Sequence, residues 1–192
     1  GKTTTTTLVG KLMKNYFDSV FVVGNIGNPY TEAAKEMIDE TVTVAEISSF
    51  QLETIEEFHP KVSAILNITP DHLDRHHTME AYIAAKEDVA KNQTKEDTCV
   101  LNYEDEVTRR FGEVVSAKPF YFSSQRKLEE GIYLDEGNIV INKGEPEVVC
   151  HVTELKLLGT HNYENVMAAV AMAAAYGVPM EIIRKTVKEF AG

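Results

Sequence analysis

The chain has 192 residues, enough to bury a hydrophobic core in one domain or in a modest two-part domain. Acidic residues outnumber basic residues by 30 to 19, which gives a net charge of −11 and argues against a broad basic surface for nucleic acid. No apolar run approaches the roughly 20 residues that span a bilayer. We therefore expect a cytoplasmic, monomeric protein without nucleic-acid or membrane partners, in which Cys99 and Cys150 are reduced structural thiols.

The first residues, Gly1-Lys2-Thr3-Thr4, match the end of the phosphate-binding loop G-x-x-x-x-G-K-[ST]. In such a loop the backbone amides hold phosphates, the lysine reaches the β- and γ-phosphates, and the hydroxyl binds Mg²⁺. So short a match could also simply start a helix. A helix is predicted over residues 3–16, because its apolar side chains recur at helical spacing.

Strands and helices then alternate along the chain. Strands are predicted at residues 19–23, 42–46, 62–68, 98–101 and 119–122, and helices at 31–37, 78–91 and 105–111. This order predicts an α/β fold, a mostly parallel, doubly wound sheet of the P-loop type flanked by helices. Short β-branched runs between residues 132 and 150, separated by turns that contain glycine, predict a small antiparallel meander. Two helices follow, one over residues 162–176 and one that begins at Pro179.

Polar motifs follow three of the predicted strands. Gly24-Asn25-Ile26-Gly27 follows the first strand, Glu46 ends the second, and Asp71-His72 comes after the third. Ligands of doubly wound sheets bind outside the carboxyl ends of the strands. We therefore expect these motifs to converge beside the phosphate loop, although Glu46 taken alone could instead cap the next segment.

The segment between Pro70 and Thr78 is rich in histidine and aspartate. Its H-x-x-x-H spacing could indicate zinc, but it follows a proline in a predicted turn and has no cysteine nearby. Carboxylate and imidazole groups beside a phosphate loop favour Mg²⁺ or Mn²⁺. A solvated loop of mixed charge is the alternative, and it suits His76 and His77 better than His72.

Lys86 lies on the apolar face of its predicted helix. At 100° per residue it shares that face with Met79, Tyr82, Ile83, Val89 and Ala90. Such a lysine can extend from the edge of the core to solvent. Alternatively, partial burial favours its neutral amine, which can react with CO₂ to give a carbamate, an anionic ligand for a metal.

The run His161-Asn162-Tyr163-Glu164-Asn165 opens the first of the two C-terminal helices. Spacing alone favours Asn162 as the N-cap of that helix. A side-chain amide at this position could also contact a nucleotide base.

Taken together, these motifs resemble the central ATP-binding domain of the Mur ligases, the ATP-dependent amide-forming enzymes of peptidoglycan synthesis. The resemblance rests on residues 1–4, 46–53, 71–74, 84–86 and 161–165, in the family's order. Gly-Lys-Thr is common to many NTPases, whereas the combined set is specific to the family. Residues 24–27 and 46–53 resemble the family member that adds D-glutamate.

The resemblance implies a role for each motif. ATP would be bound by Gly1, Lys2, Thr3, Thr4, Asn162 and Asn165, and the substrate by Asn25, Gly27 and Ser48. Two Mg²⁺ sites, at which Mn²⁺ is possible, would be formed by Thr3 and Glu46 and by His72 and carbamylated Lys86. The catalytic residues would be Lys2, Glu46, His72 and Lys86.

The resemblance also implies the reaction and the domain organisation. UDP-N-acetylmuramoyl-L-alanine would be activated as an acyl phosphate and joined to D-glutamate. Residues 1–192 would form the middle of three domains, without the strand that precedes the phosphate loop and without the first half of that loop. The N- and C-terminal domains of the same chain would be its partners, and we expect the fragment alone to be inactive.

Three alternatives stay open at this point. Folylpolyglutamate synthase has similar architecture and chemistry, but residues 48–51 (Ser-Ser-Phe-Gln) argue against it. A Mur ligase sibling would add L-alanine or a diamino acid. A P-loop switch that binds nucleotide to regulate a partner would have no use for Lys86 on an apolar face beside metal ligands.

Overall fold

The computed structural model describes residues 1–69 and 76–192. The strands are β1 (Val20–Gly24), β2 (Val42–Glu46), β3 (Val62–Ile65), β4 (Thr98–Asn102), β5 (Lys118–Ser123), β6 (Gly131–Asp135), β7 (Asn138–Asn142) and β8 (Pro146–His151). The α-helices are α1 (Lys2–Lys14), α2 (Tyr30–Ala33), α3 (Ser49–Leu52), α4 (Met79–Glu87), α5 (Glu106–Phe111), α6 (Thr160–Tyr176) and α7 (Met180–Glu189). Short 3-10 turns occupy Ala34–Glu36, Asp88–Ala90 and Val152–Glu154. None of the helices described is both long and apolar enough to cross a bilayer.

The described strands form two sheets, one of two strands and one of six. β1 and β2 pair in parallel, and β3 to β6 form a second parallel run in chain order. β6, β7 and β8 then pair antiparallel. The predicted α/β sheet and the predicted meander are both confirmed. Because β6 also pairs with β5, the meander continues the main sheet and is not a separate unit.

Helices cover both faces of the main sheet, as the side chains of β4 show. Val100 packs with Val170 of α6 in one hydrophobic cluster. Its neighbours Cys99 and Leu101 belong to a second cluster, which contains Tyr82 of α4. Since successive side chains of a strand point to opposite faces, the two clusters lie on opposite sides of the sheet. The doubly wound arrangement is therefore present.

The two cysteines are free and buried. Burial raises the pKa of the Cys99 and Cys150 thiols to about 11. Both thiols therefore stay protonated at neutral pH and lack the thiolate that reacts with electrophiles and metals. This agrees with the prediction of reduced structural thiols.

Two predicted elements are shorter than expected. The strand predicted to reach residue 68 ends at Ile65, because side chains bind the backbone that follows it. Asn102 Nδ2 donates to the Leu66 carbonyl oxygen at 3.0 Å, and the Ile68 amide donates to Asp105 Oδ2 at 2.8 Å. The helix predicted at residues 31–37 is the single turn α2 followed by a 3-10 turn.

Hydrogen bonds to Asp97 stabilise the turn before β4 and make the free energy of unfolding depend on pH. Its buried carboxylate accepts the Thr94 amide at 2.8 Å and lies 2.5 Å from His59 Nε2. Burial raises the pKa of Asp97, but hydrogen bonds from Thr94 and His59 outweigh burial and lower it overall. A lowered pKa stabilises the fold above the unfolded value of about 3.9, and that contribution is lost as the pH falls through the folded value.

We therefore predict that Asp97→Asn lowers the free energy of unfolding at pH 7 by about 1–3 kcal/mol, the usual cost of disrupting a buried polar partner. The variant should also lose less stability than the parent chain as the pH is lowered from about 5 to about 3. Urea unfolding at each pH measures both effects. Asp39→Asn, at an exposed aspartate, is the control. Parallel curves for Asp97→Asn and the parent chain would contradict the assignment.

Candidate active site

A cavity of about 750 Å³ lies between β2 and β3. Both strands line it along their length, and in the described part of the chain β2 pairs only with β1 and β3 only with β4. Apolar side chains such as Val44 and Ile65 line its middle. Polar residues gather at the carboxyl ends of the strands, which is the edge where ligands of doubly wound sheets bind.

The predicted phosphate loop leads directly into α1 at this edge. Gly1 is the N-cap of the helix, and both Gly1 and Lys2 line the cavity. The first backbone amides of a helix have no partner within it, and the helix dipole adds positive potential there. The amino end of α1 therefore suits an anionic group such as a phosphate.

Glu46 ends β2 beside this helix. Its side chain is only 6% exposed, and its Oε2 accepts a hydrogen bond from Thr3 Oγ1 at 3.3 Å. A hydroxyl and a carboxylate side by side next to a phosphate site are the oxygen ligands that Mg²⁺ prefers. The donor set of Thr3 and Glu46 thus fits the predicted metal.

Gly24 lets the backbone of the first polar motif, residues 24–27, approach Glu46 closely. The Asn25 amide donates to the Glu46 carbonyl oxygen at 2.7 Å, and Gly24 has a φ of +96°. A Cβ atom on Gly24 would lie 2.3 Å from that same carbonyl oxygen, so no larger residue fits. This close approach holds Asn25, which lines the cavity, at the carboxyl end of β2.

We predict that Gly24→Ala lowers the free energy of unfolding by about 2–4 kcal/mol, through the positive φ and the overlap together. Gly27→Ala is the matched control, because Gly27 has a φ of +92° but no atom within 4 Å of the added Cβ. In that control the free energy of unfolding should fall only by the contribution of the positive φ, about 1–2 kcal/mol. Urea unfolding of both variants is the measurement, and equal losses would show that the contact with Glu46 is unimportant.

Ser48 is held by a capping box at the start of α3. Its Oγ accepts the Gln51 amide at 3.2 Å, and its own amide donates to Gln51 Oε1 at 2.8 Å. The sequence carries this signal as Ser-x-x-Gln, which sequence reasoning missed. The box fixes the backbone of Ser48, which lines the cavity.

Lys86 reaches the cavity from α4, the helix that Thr78 caps through its side chain. It is half-buried, and its Nζ lies 5.3 Å from the centroid of the Tyr82 ring. Tyr82 and Ala90, on the face predicted for Lys86, are buried. Lys86 therefore occupies the partly desolvated position that the helical spacing indicated, and its carbamylation stays a prediction.

The prediction for His72 cannot be compared with the fold, because Asp71, His72 and Asp74 lie outside the described residues. Among residues 1–69 and 76–192, no three histidine, cysteine, aspartate or glutamate side chains are placed to hold a metal ion. The predicted metal ligands would not form a group of this type, because they include a threonine hydroxyl, a carbamate and His72.

The predicted adenine residues sit where α6 begins next to the phosphate loop. The Gly1 nitrogen lies 3.2 Å from His161 Nε2. Asn165 is buried, and its Oδ1 accepts from Thr5 Oγ1 at 3.4 Å. Its Nδ2 is buried and finds no hydrogen-bond partner among the described residues. A buried donor of this kind is uncommon and costly in a folded protein.

Asn162 is not the N-cap that spacing favoured. Gly159, with a φ of +98°, is the N-cap, and the helix begins at Thr160. Asn162 therefore lies in the first turn, where its Nδ2 donates to the Leu158 carbonyl oxygen at 2.9 Å. The earlier start arises because glycine can adopt the left-handed entry to the helix without a side-chain cap.

The structure thus brings six of the eleven predicted site residues that it describes to the lining of one cavity. Gly1, Lys2, Asn25, Glu46, Ser48 and Lys86 line it. Thr3 is joined to it through Glu46. Gly27, Thr4, Asn162 and Asn165 do not line it. The asparagines instead lie on α6, which packs beside α1.

His76 is a residue whose environment the sequence did not indicate. The idea of a solvated loop holds for His77, which is exposed, but is wrong for His76, which is 7% exposed. The ring of His76 is buried because it fits between α3 and Tyr82 of α4. No local pattern reveals this contact, since Ser49, its hydrogen-bond partner, is 27 residues away.

Comparisons with known proteins show the family. Residues 1–173 match the family model of the Mur ligase middle domain. The UDP-N-acetylmuramoylalanine–D-glutamate ligase of Lachnoclostridium phytofermentans is 62% identical over 100% of this chain and 42% of its own length. The protein of the same name from Clostridioides difficile is 47% identical over 100% of this chain and 43% of its own. The chain therefore spans less than half the length of these relatives.

Solved structures share the fold at lower identity. MurF from Acinetobacter baumannii superposes with a TM-score of 0.74 at 22% identity, covering 100% of this chain and 44% of that one. The UDP-N-acetylmuramate-alanine ligase MurC from Thermotoga maritima gives a TM-score of 0.67 at 21% identity, covering 100% of this chain and 43% of that one. At such identities the likeness supports the fold alone.

Proposed function

The chain belongs to the Mur ligase family, and we propose that it is the central ATP-binding domain of a ligase that joins D-glutamate to UDP-N-acetylmuramoyl-L-alanine. The name of the relative that is 62% identical supports this choice of substrates. The observation that carries the proposal is that Lys2, Glu46, Ser48 and Lys86 all line one cavity whose polar end lies at the carboxyl ends of the strands.

The reaction proceeds in two steps that both need control of negative charge. In the first step the alanine carboxylate attacks the γ-phosphorus of ATP. The bond to the bridging oxygen breaks, and ADP leaves with the electron pair. In the second step the amine of D-glutamate attacks the acyl carbon. Phosphate leaves with the electrons of the acyl C–O bond, and the amine gives up a proton.

The chain contributes position and charge to these steps. The amino end of α1 and Lys2 bind the phosphates, and this offsets the repulsion between the γ-phosphate and the incoming carboxylate. Asn25 and Ser48 hold the muramoyl-peptide substrate so that its carboxylate faces the γ-phosphorus. Such positioning of two reactants accounts for a large share of the rate in phosphoryl transfer.

Thr3 and Glu46 would hold one Mg²⁺, and Lys86, as its carbamate, would help His72 to hold a second; Mn²⁺ could replace either. When bound, the metal ions neutralise charge on the phosphate oxygens. The fit rests on the hydrogen-bonded hydroxyl and carboxylate of Thr3 and Glu46, 3.3 Å apart. Asn162 and Asn165, near the start of α6 and beside α1, would contact the adenine side of ATP.

The same proposal places the chain between N- and C-terminal domains of a larger protein. The lengths of the relatives support it, since this chain covers 42% of the first of them. In the described part of the chain, the unpaired edges of β2 and β3 support a further parallel strand between them in the intact protein, because such a strand would satisfy both edges. It would fill the apolar middle of the cavity and leave the polar end, at the carboxyl ends of the strands, as the ligand site. Backbone amides of residues 42–46 and 62–65 should then exchange more slowly in the full-length protein than in this chain.

The cytoplasmic location and the monomeric state stay predictions.

The test is phosphate release by the full-length enzyme with ATP, Mg²⁺ and UDP-N-acetylmuramoyl-L-alanine, with one amino acid added at a time. Release that requires D-glutamate is the expected result. Release with L-alanine or a diamino acid would keep the family and change the substrate. ATP binding without release in any mixture would reject the ligase and favour a nucleotide switch.

A further inference from the structure

His76 joins the two short helices that carry Ser48 and Lys86. Its Nε2 lies 3.1 Å from Ser49 Oγ, in α3, and its Nδ1 lies 3.0 Å from Glu53 Oε1, at the end of α3. The side chain of His76 is 3% exposed and that of Glu53 is 32% exposed. The contact with Ser49 is therefore buried, whereas the contact with Glu53 lies at the edge of the solvent. A buried hydrogen bond such as the one with Ser49 fixes side chains more firmly than a hydrogen bond on the surface does.

Aromatic rings extend this contact to α4. Phe50 stacks on the His76 ring with centroids 5.3 Å apart and an interplanar angle of 14°. Tyr82 of α4 packs against His76 at 5.5 Å, and the Nζ of Lys86 lies over the Tyr82 ring at 5.3 Å. A continuous series of contacts therefore runs from the helix that follows Ser48 to Lys86.

The two partners of His76 also suit one tautomer. The Glu53 carboxylate can only accept, so it favours a proton on Nδ1. Nε2 is then free to accept the hydroxyl proton of Ser49. A carboxylate that fixes the tautomer and orientation of a histidine is a common supporting arrangement around active sites.

From this geometry we infer that His76 is a positioning residue: it sets the distance between Ser48, on the substrate side, and Lys86, on the metal side. The inference rests on the proposed function, which gives those two residues their roles. His76 itself would touch neither ATP nor substrate. Serine, histidine and glutamate also form nucleophilic triads, but Ser49 is 4% exposed here and leads into a capped helix, which favours support over acyl transfer.

The test compares variants of the full-length enzyme. His76→Phe keeps the ring packing and removes both hydrogen bonds, and we expect kcat to fall about 10- to 100-fold, as for loss of a supporting contact. The KM for ATP should stay within about threefold, because α1 holds the nucleotide independently. His76→Gln can still accept from Ser49 and should recover most of the lost rate. His77→Asn, at the exposed neighbouring histidine, is the matched control and should change neither constant.

Two further measurements keep the inference separate from the proposed function. Ser49→Ala breaks the same contact from the α3 side, and its kcat should also fall. This variant tests the inference if His76→Phe does not fold. Hydrogen exchange of residues 49–52 and 79–87 should accelerate in His76→Phe, while β6 to β8 keep their protection. If the unmodified enzyme never uses D-glutamate, the proposed function is rejected. The hydrogen exchange of His76→Phe then tests the inference by itself. A folded His76→Phe with normal kcat, or with unchanged exchange in both helices, would overturn it.

Discussion

Replacing Lys86 with alanine in the full-length ligase should lower kcat about 100- to 1,000-fold, the usual cost of losing one group that stabilises developing charge. ATP affinity should change by less than about threefold, because α1 and Lys2 hold the phosphates. Lys86 is half-buried over Tyr82, so its role depends on that environment. Phosphate release and equilibrium ATP binding measure the two quantities.

Lys86→Arg distinguishes the two chemical forms of this side chain. Arginine keeps a positive charge but forms no carbamate, so a carbamate role predicts that it is as inactive as alanine. A short carboxylate such as acetate should then partly restore Lys86→Ala. Lys91→Ala, at an exposed lysine soon after the same helix, is the control. An active Lys86→Arg would assign Lys86 as a simple cation, and normal turnover by Lys86→Ala would remove it from the site.

The sequence predicted the sheet and its active edge because both depend on periodic signals. Alternating strands and helices fix a parallel sheet, and polar residues at the strand ends then fall on one edge. Glu46 and Asn25 were found in this way, and in the structure the Asn25 amide donates to the Glu46 carbonyl oxygen. The helical face of Lys86 followed from the same kind of regularity.

The features that were missed depend on contacts between distant residues or on competing backbone geometry. Ser49 and His76 are 27 residues apart, and Asn102 binds the carbonyl of a residue 36 positions earlier. Such pairs leave no period in the sequence. The start of α6 was misplaced because Gly159 could provide the entry to the helix without a side-chain cap. Side-chain hydrogen bonds that compete with the sheet likewise ended β3 early.

Glu46→Gln should separate stability from metal-dependent function. The amide has the shape of the carboxylate and can still accept from Thr3, so the free energy of unfolding without metal should change by less than about 1 kcal/mol. The lost charge should weaken Mg²⁺-dependent ATP binding about 10- to 100-fold and lower kcat at least 100-fold. Thermal unfolding and titration of ATP with and without Mg²⁺ measure these effects.

The decisive comparison is the rise in melting temperature that MgATP produces. A ligand that binds only the folded protein stabilises it by RT ln(1 + [L]/Kd), so a weaker metal site gives a smaller rise at the same ligand concentration. Glu46→Gln should lose most of the MgATP shift and keep its metal-free melting temperature. Glu56→Gln, at an exposed glutamate, should keep both. If Glu46→Gln kept the full MgATP shift, the buried carboxylate would belong to the packing around Thr3 and not to the metal site. A lower metal-free melting temperature together with the full shift would point to the same conclusion, since a structural carboxylate stabilises the fold whether or not nucleotide is bound.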